Sequence, residues 1–201
     1  MRNLSRWLIT WAAFALGLSI TGPAAAGPLD HPGYVKAFSC SACHGFAGNS
    51  RSDAMPTLAG QPAGYLKKAL QDYAGGKRPS PEMEPYAKMA IELGVDDVAS
   101  YFASQTKQPT PISVDRAAAE RGKTASAPCV ACHGAMGKGD PAKGIPDITG
   151  QPAGYLKNQL MLFKADKRSP GDPAVMAPKA IIKGIPDETL VDLAAYYSSQ
   201  R

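Results

Sequence analysis

The sequence predicts an all-α protein built as two tandem domains of about 80 residues each. Three observations carry that prediction. A run of features in the first half recurs, in the same order, in the second. Apolar residues fall at three- and four-residue spacing, as in Leu190, Leu193, Ala194 and Tyr197, and no alternating strand pattern is present. Gly (20) and Pro (18) punctuate the 201 residues often enough to require short helices and many loops.

The repeat is close. Cys40-Ser41-Ala42-Cys43-His44-Gly45 returns 89 residues later as Cys129-Val130-Ala131-Cys132-His133-Gly134. The octapeptide Gly60-Gln61-Pro62-Ala63-Gly64-Tyr65-Leu66-Lys67 returns unchanged 90 residues on, at Gly150 to Lys157. Lys77-Arg78 matches Lys167-Arg168, Met83-Glu84-Pro85-Tyr86-Ala87 matches Met176-Ala177-Pro178-Lys179-Ala180, and Phe102-Ala103-Ser104-Gln105 matches Tyr197-Ser198-Ser199-Gln200. The offset drifts from 89 to 95, so the second copy carries small loop insertions. Two copies make a duplicated domain, not a solenoid.

Taken in order, residues 1–26 read as a cleaved secretory signal peptide. Arg2 and Arg6 form a basic start, an apolar run follows from Trp7 to Ile20, and Ala24-Ala25-Ala26 supplies the small-residue cleavage site. The run is too short to span a bilayer, which takes about 20 residues. Residues 27–106 form the first domain, 107–113 a polar linker stiffened by Pro109 and Pro111, and 114–201 the second domain. In each domain a short helix, around residues 32–39 and 115–125, leads into the Cys motif. A second helix starts at Pro62 or Pro152, where proline suits the first turn. The last covers residues 96–104 and 187–199, with Asp187 and Glu188 favouring a helix start. Gly33 and Gly122, each seven residues before the first Cys, let two helices approach closely, and the crossing partners are the aromatic pairs Tyr101-Phe102 and Tyr196-Tyr197.

Loss of residues 1–26 lowers the formal charge from +5 to +3, which is not the balance of a nucleic-acid-binding protein. Residues 27–112 are net neutral and residues 113–201 carry +3, an excess that reads first as solvated surface, with a dipole that orients the molecule towards a partner as the alternative.

The chemistry sits at the cysteines. C-x-x-C-H is the attachment signature of c-type haem: two thiols three residues apart reach the two vinyl groups of one porphyrin edge, and the next residue's imidazole binds the iron. Cys40, Cys43, Cys129 and Cys132 are the attachment residues, His44 and His133 the iron ligands, and the cofactors two covalently bound haem c groups. A four-Cys zinc site would need closer pairs, and disulfides would leave both histidines unexplained. Zero net charge in one domain and +3 in the other would fall near −1 overall with four propionates.

An electron carrier closes its iron with a sixth ligand, commonly Met. Met83 and Met176 occupy matching Met-x-Pro-x-Ala positions, 39 and 43 residues after their His, where the proline would shape a loop that presents the sulfur. Met89 and Met55 are rivals in the first half and Met161 in the second, but none has a Met counterpart in the other half; Met136 is too near His133 to reach the opposite face. The carbonyls of Pro56 and Pro146, 12 and 13 residues after the histidines, are candidates to accept the second ring N–H of His44 and His133. His31 has no partner in the second half and reads as a surface residue.

On the paired C-x-x-C-H-G motifs, the repeated octapeptide, the Lys-Arg pairs, the Met-x-Pro-x-Ala segments and the closing Asp192-Leu193-Ala194-Ala195-Tyr196-Tyr197, the chain resembles the cytochrome c4 family over residues 27–201. The resemblance implies two cytochrome c-like domains, each wrapped around one haem, with His/Met ligation and the haems facing across the domain interface. It also implies a periplasmic electron carrier, not an enzyme, that works with redox partner proteins (a donor complex and a terminal oxidase) and associates peripherally with the membrane. The alternatives are the cytochrome subunit of a flavocytochrome sulfide dehydrogenase and a di-haem redox enzyme such as a peroxidase, which would need an open iron. The first half departs from the pattern in having Glu84 and Tyr86 around its Met.

Overall fold

The computed structural model describes residues 27–200, so the predicted signal peptide lies outside the described residues. Among the described residues there are helices, short 3-10 turns and one isolated bridge between Asp140 and Ile145, with no strand. The first half holds α1 (Tyr34–Ala37), α2 (Ser41–His44), α3 (Ala63–Ala74) and α4 (Met83–Ser104); the second holds α5 (Arg116–Ala125), α6 (Val130–His133), α7 (Ala153–Lys164), α8 (Met176–Lys183) and α9 (Asp187–Ser199). No described helix is long and apolar enough to cross a membrane.

The two halves differ where one sequence step differs. α4 is one continuous element kinked at Gly94 (φ 111°, ψ 86°), whereas its counterpart is split into α8 and α9. The first half reads Gly94-Val95-Asp96 there and the second Gly184-Ile185-Pro186-Asp187. Pro186 takes the extended N-cap position (ψ 151°). It has no N–H to continue a helix and disfavours a helical residue before it. Pro62 and Pro152 sit one place earlier than expected, as the extended N-caps of α3 and α7 rather than inside their first turns.

Each half has its own core. Tyr101 and Phe102 of α4 pack with Ala37, Leu66 and Val98, and Leu190, Leu193, Tyr196 and Tyr197 of α9 pack with Leu156. Burying a side chain of this size stabilises by about 1.5–3 kcal/mol. The expected face of α9 is therefore buried as drawn: Leu190, Leu193, Ala194 and Tyr197 are all within 4% exposure. The glycines do what their spacing predicts. A Cβ on Gly33 would lie 2.3 Å from the Asp97 carbonyl oxygen, and one on Gly122 would lie 2.0 Å from that of Asp192. Only glycine lets α1 cross α4, and α5 cross α9, at that distance. His31 differs from its surface reading: it is half-buried, its Nδ1 accepts from the Gly33 N–H (2.9 Å), and its ring meets Tyr101 edge-on at 5.6 Å.

The halves meet along the repeated octapeptide. The Gln61 side chain accepts from the Asp147 N–H (3.1 Å) and donates to the Asp147 carbonyl (2.6 Å). Its counterpart Gln151 accepts from the Thr57 N–H (2.9 Å) and donates to the Thr57 carbonyl (2.7 Å). Thr57 and Asp147 are themselves repeat counterparts, so the two doublets are related by a pseudo-twofold. Arg78 donates to the Tyr155 hydroxyl (2.9 Å), and Arg168 to that of Tyr65 (3.3 Å). Both guanidiniums also donate to the one Gln159 Oε1, from Arg78 Nε (3.0 Å) and Nη2 (2.7 Å) and from Arg168 Nη1 (2.9 Å).

Candidate functional site

Each Cys-x-x-Cys-His unit is a single tight helical stretch. Cys40 closes a 3-10 turn and Cys43 lies in α2; Cys129 and Cys132 are placed alike around α6. Residues three apart on a helical turn share a face, so the two thiols of each pair point the same way. The chain then turns off sharply at Gly45 (φ 76°) and Gly134 (φ 73°). A Cβ on Gly45 would also lie 2.1 Å from the Asn49 carbonyl oxygen, which explains why Gly follows His. All four cysteines are free thiols, so the disulfide alternative is not formed. No group of three or more His, Cys, Asp or Glu comes together among the described residues.

The histidines are held as iron ligands need to be. His44 Nδ1 lies 2.9 Å from the Pro56 carbonyl oxygen, and His133 Nδ1 lies 3.1 Å from that of Pro146. A carbonyl can only accept, so Nδ1 carries the proton and Nε2 keeps its lone pair. Burial holds both imidazoles below their ordinary pKa, against the opposing pull of these carbonyls, and so keeps them neutral. His44 is buried, and its Nε2 has no hydrogen-bond partner. A buried, unpaired nitrogen lone pair costs free energy unless something binds it. An iron in a porphyrin whose edge is fixed by Cys40 and Cys43 fits that atom. His133 is placed the same way but is half-buried.

The methionines sit in helices rather than loops. Met83 is the first residue of α4 and Met176 the first of α8. Pro85 and Pro178 fall in the first turn, where the missing N–H has no helical acceptor to satisfy, so the helix starts without penalty. Met176 is 63% exposed, Met83 is half-buried, and the rivals Met89, Met55 and Met161 are half-buried within or before their helices. Met136 is exposed beyond His133.

A cytochrome c family model matches residues 34–105 and again 119–200. A cytochrome c4 of Pseudomonas aeruginosa is 33% identical, covering 90% of this chain and 93% of that protein. The chain belongs to the cytochrome c4 family. The structure of reduced cytochrome c4 from Pseudomonas stutzeri superposes with a TM-score of 0.74 at 30% identity, over 84% of this chain and 97% of that one. A protein named thiosulfate dehydrogenase electron acceptor, from Stutzerimonas stutzeri, is 32% identical over 81% of this chain and 79% of its own length. Like its cytochrome c4 relatives, the chain is a di-haem electron-transfer protein and not an enzyme, with covalently bound haem c, and its two C-x-x-C-H units fit two such groups.

The sequence reading missed the interface. Gln61 and Gln151 are each 3% exposed, and Arg78 is 2% exposed. The signal was available: a polar octapeptide repeated without change has more to do than start a helix. Gln159 gave no such signal, because its counterpart is Ala69. Asp53 also went unread. Its side chain accepts from the Gly154 N–H (2.9 Å) and its carbonyl from the Tyr155 N–H (2.8 Å), capping α7 from the other half.

Proposed function

We propose that this protein is a periplasmic electron shuttle with two closed, six-coordinate haems. Cys40 and Cys43 would hold the first haem and Cys129 and Cys132 the second, with iron ligands His44/Met83 and His133/Met176. The observation that carries the reading is the orphaned Nε2 of buried His44, whose other nitrogen is already committed to Pro56. When bound, each haem supplies a one-electron couple whose potential is raised by a Met ligand. The chain's part is to fix the imidazole tautomer, exclude water from the histidine and keep the irons closed to substrate.

The partners follow from this role. A dehydrogenase or membrane donor complex would deliver electrons and a terminal oxidase would receive them. The relative named as an electron acceptor of thiosulfate dehydrogenase favours a separate thiosulfate-oxidising donor over the reading as a flavocytochrome subunit. The test is a redox titration with absorption spectra on the periplasmic fraction's purified protein. Two reversible one-electron couples and a Met–iron band at each haem are expected. A high-spin ferric haem, or peroxide turnover, would replace the shuttle with a haem enzyme.

A further inference from the structure

The bonds that orient the histidines and the bonds that join the halves share the same two peptide groups. The carbonyl of Pro56 takes the His44 N–H, and the N–H of that same peptide, on Thr57, donates to Gln151 Oε1 at 2.9 Å. In the second half the carbonyl of Pro146 takes the His133 N–H, and the Asp147 N–H donates to Gln61 Oε1 at 3.1 Å. Each histidine is therefore linked, through one conjugated amide, to a glutamine of the other half. Both glutamines are buried, so water does not compete for these bonds.

We infer that Gln61 and Gln151 are crossed positioning residues: Gln151, in the second half, tunes the iron of the first, and Gln61, in the first half, tunes the iron of the second. This rests on the assignment of His44 and His133 as iron ligands. Hydrogen bonds in a chain polarise one another. When Gln151 accepts from the Thr57 N–H, electron density in the amide shifts towards the Pro56 oxygen. That oxygen then draws harder on the Nδ1 proton of His44, and the ring becomes a stronger donor at Nε2. A stronger donor stabilises ferric over ferrous iron, so the glutamine lowers the potential of the haem opposite. The donor side of each glutamine, to the Thr57 or Asp147 carbonyl, fixes the amide so that its oxygen faces the N–H.

The experiment is a spectroelectrochemical titration of holoprotein variants. The two haems are told apart by proton NMR of the haem methyls beside Cys40 and Cys43 or Cys129 and Cys132. Gln151→Leu removes the acceptor, and the first-half haem should gain about threefold to tenfold in its reduction equilibrium constant, or about 30–60 mV more positive at 59 mV per tenfold. The second-half haem should stay in place. Gln61→Leu should do the reverse. Gln151→Glu keeps an acceptor opposite Thr57 and adds charge, so it should move the first-half haem negative. The Nδ1 proton resonance of His44 should shift in Gln151→Leu while that of His133 does not. A shift confined to the variant's own half, equal shifts of both haems, or no shift in the Leu and Glu variants alike would overturn the inference. Two reversible couples without a crossed shift would sink the relay alone; absence of reversible couples in the unaltered protein would sink the shuttle reading instead.

Discussion

Gly122→Ala tests the helix crossing that holds the second domain shut. The added methyl would lie 2.0 Å from the Asp192 carbonyl oxygen, 2.4 Å from its carbon and 2.9 Å from the Leu193 nitrogen. These are backbone atoms of α9, so no side chain can swing aside and the whole helix must move. Overpacking of this kind costs about 1–3 kcal/mol, and rigid backbone puts it at the upper end. Alanine recovers up to about 1 kcal/mol over glycine by helix propensity. The net loss should be about 2 kcal/mol, and a chain of this size should melt about 4–8 °C lower. Gly64→Ala is the matched control: it is also in a helix, but nothing lies within 4 Å of the added methyl, so it should gain up to about 1 kcal/mol. Thermal and denaturant unfolding of the two variants, followed by far-UV circular dichroism, reads both signs. If Gly122→Ala were as stable as the unaltered protein, the close approach of α5 to α9 would be wrong.

Replacing Met83 and Met176 by Ala one at a time should abolish the Met–iron band of one haem each; survival of both bands in Met83→Ala would move the ligand to Met89. Gln159→Leu should cost about 2–4 kcal/mol in denaturant titrations, because three guanidinium N–H groups lose their buried acceptor. Asp115→Ala should cost about 0.5–2 kcal/mol, since its side chain caps α5 by accepting from the Ala117 and Ala118 N–H groups at 2.9 and 3.1 Å. Equilibrium unfolding measures it.

What the sequence disclosed was whatever a single domain decides for itself. The buried face of α9, the close-approach glycines and the two proline carbonyls all follow from local spacing, and the structure places each of them as read. The Met segments were legible in position but not in form: Pro85 and Pro178 suggested loops, and first-turn tolerance of proline makes them helix starts. Contacts between the halves were not legible, because they depend on docking two surfaces. Arg78 and Asp53 each look like ordinary polar residues until the other half is present, and the unchanged octapeptide marks Gln61 without naming what it touches. Burial would raise the Tyr65 hydroxyl, and the Arg168 and Arg78 guanidiniums outweigh it and pull its pKa below the ordinary value; that is a property of neither half alone.

The interface is symmetric where it touches the histidines and asymmetric where it holds charge, and the difference has a physical use. The reciprocal glutamine doublets would let two first halves from different molecules pair as readily as the two halves of one chain. The charged contacts forbid it. In such a pairing Ala69 would stand where Gln159 stands, and both buried Arg78 guanidiniums would lose their shared acceptor. Neither arginine lies within 4.0 Å of a carboxylate among the described residues, so each Arg78 would keep only a tyrosine hydroxyl, with Tyr65 standing where Tyr155 stands. Buried guanidinium N–H groups left without an acceptor cost about 1–3 kcal/mol, and more because the group is charged. Ser169 adds to the discrimination. It is held at φ 47° while its N–H donates to the Lys77 carbonyl (2.6 Å) and its hydroxyl to Asp72 (2.8 Å), and the first half has Pro79 after its Arg instead. Pro79 has no N–H to give. Unlike residues at matched positions thus select the partner within the chain, as specificity built from penalties against the wrong mate requires, while the matched glutamines treat the two histidines alike.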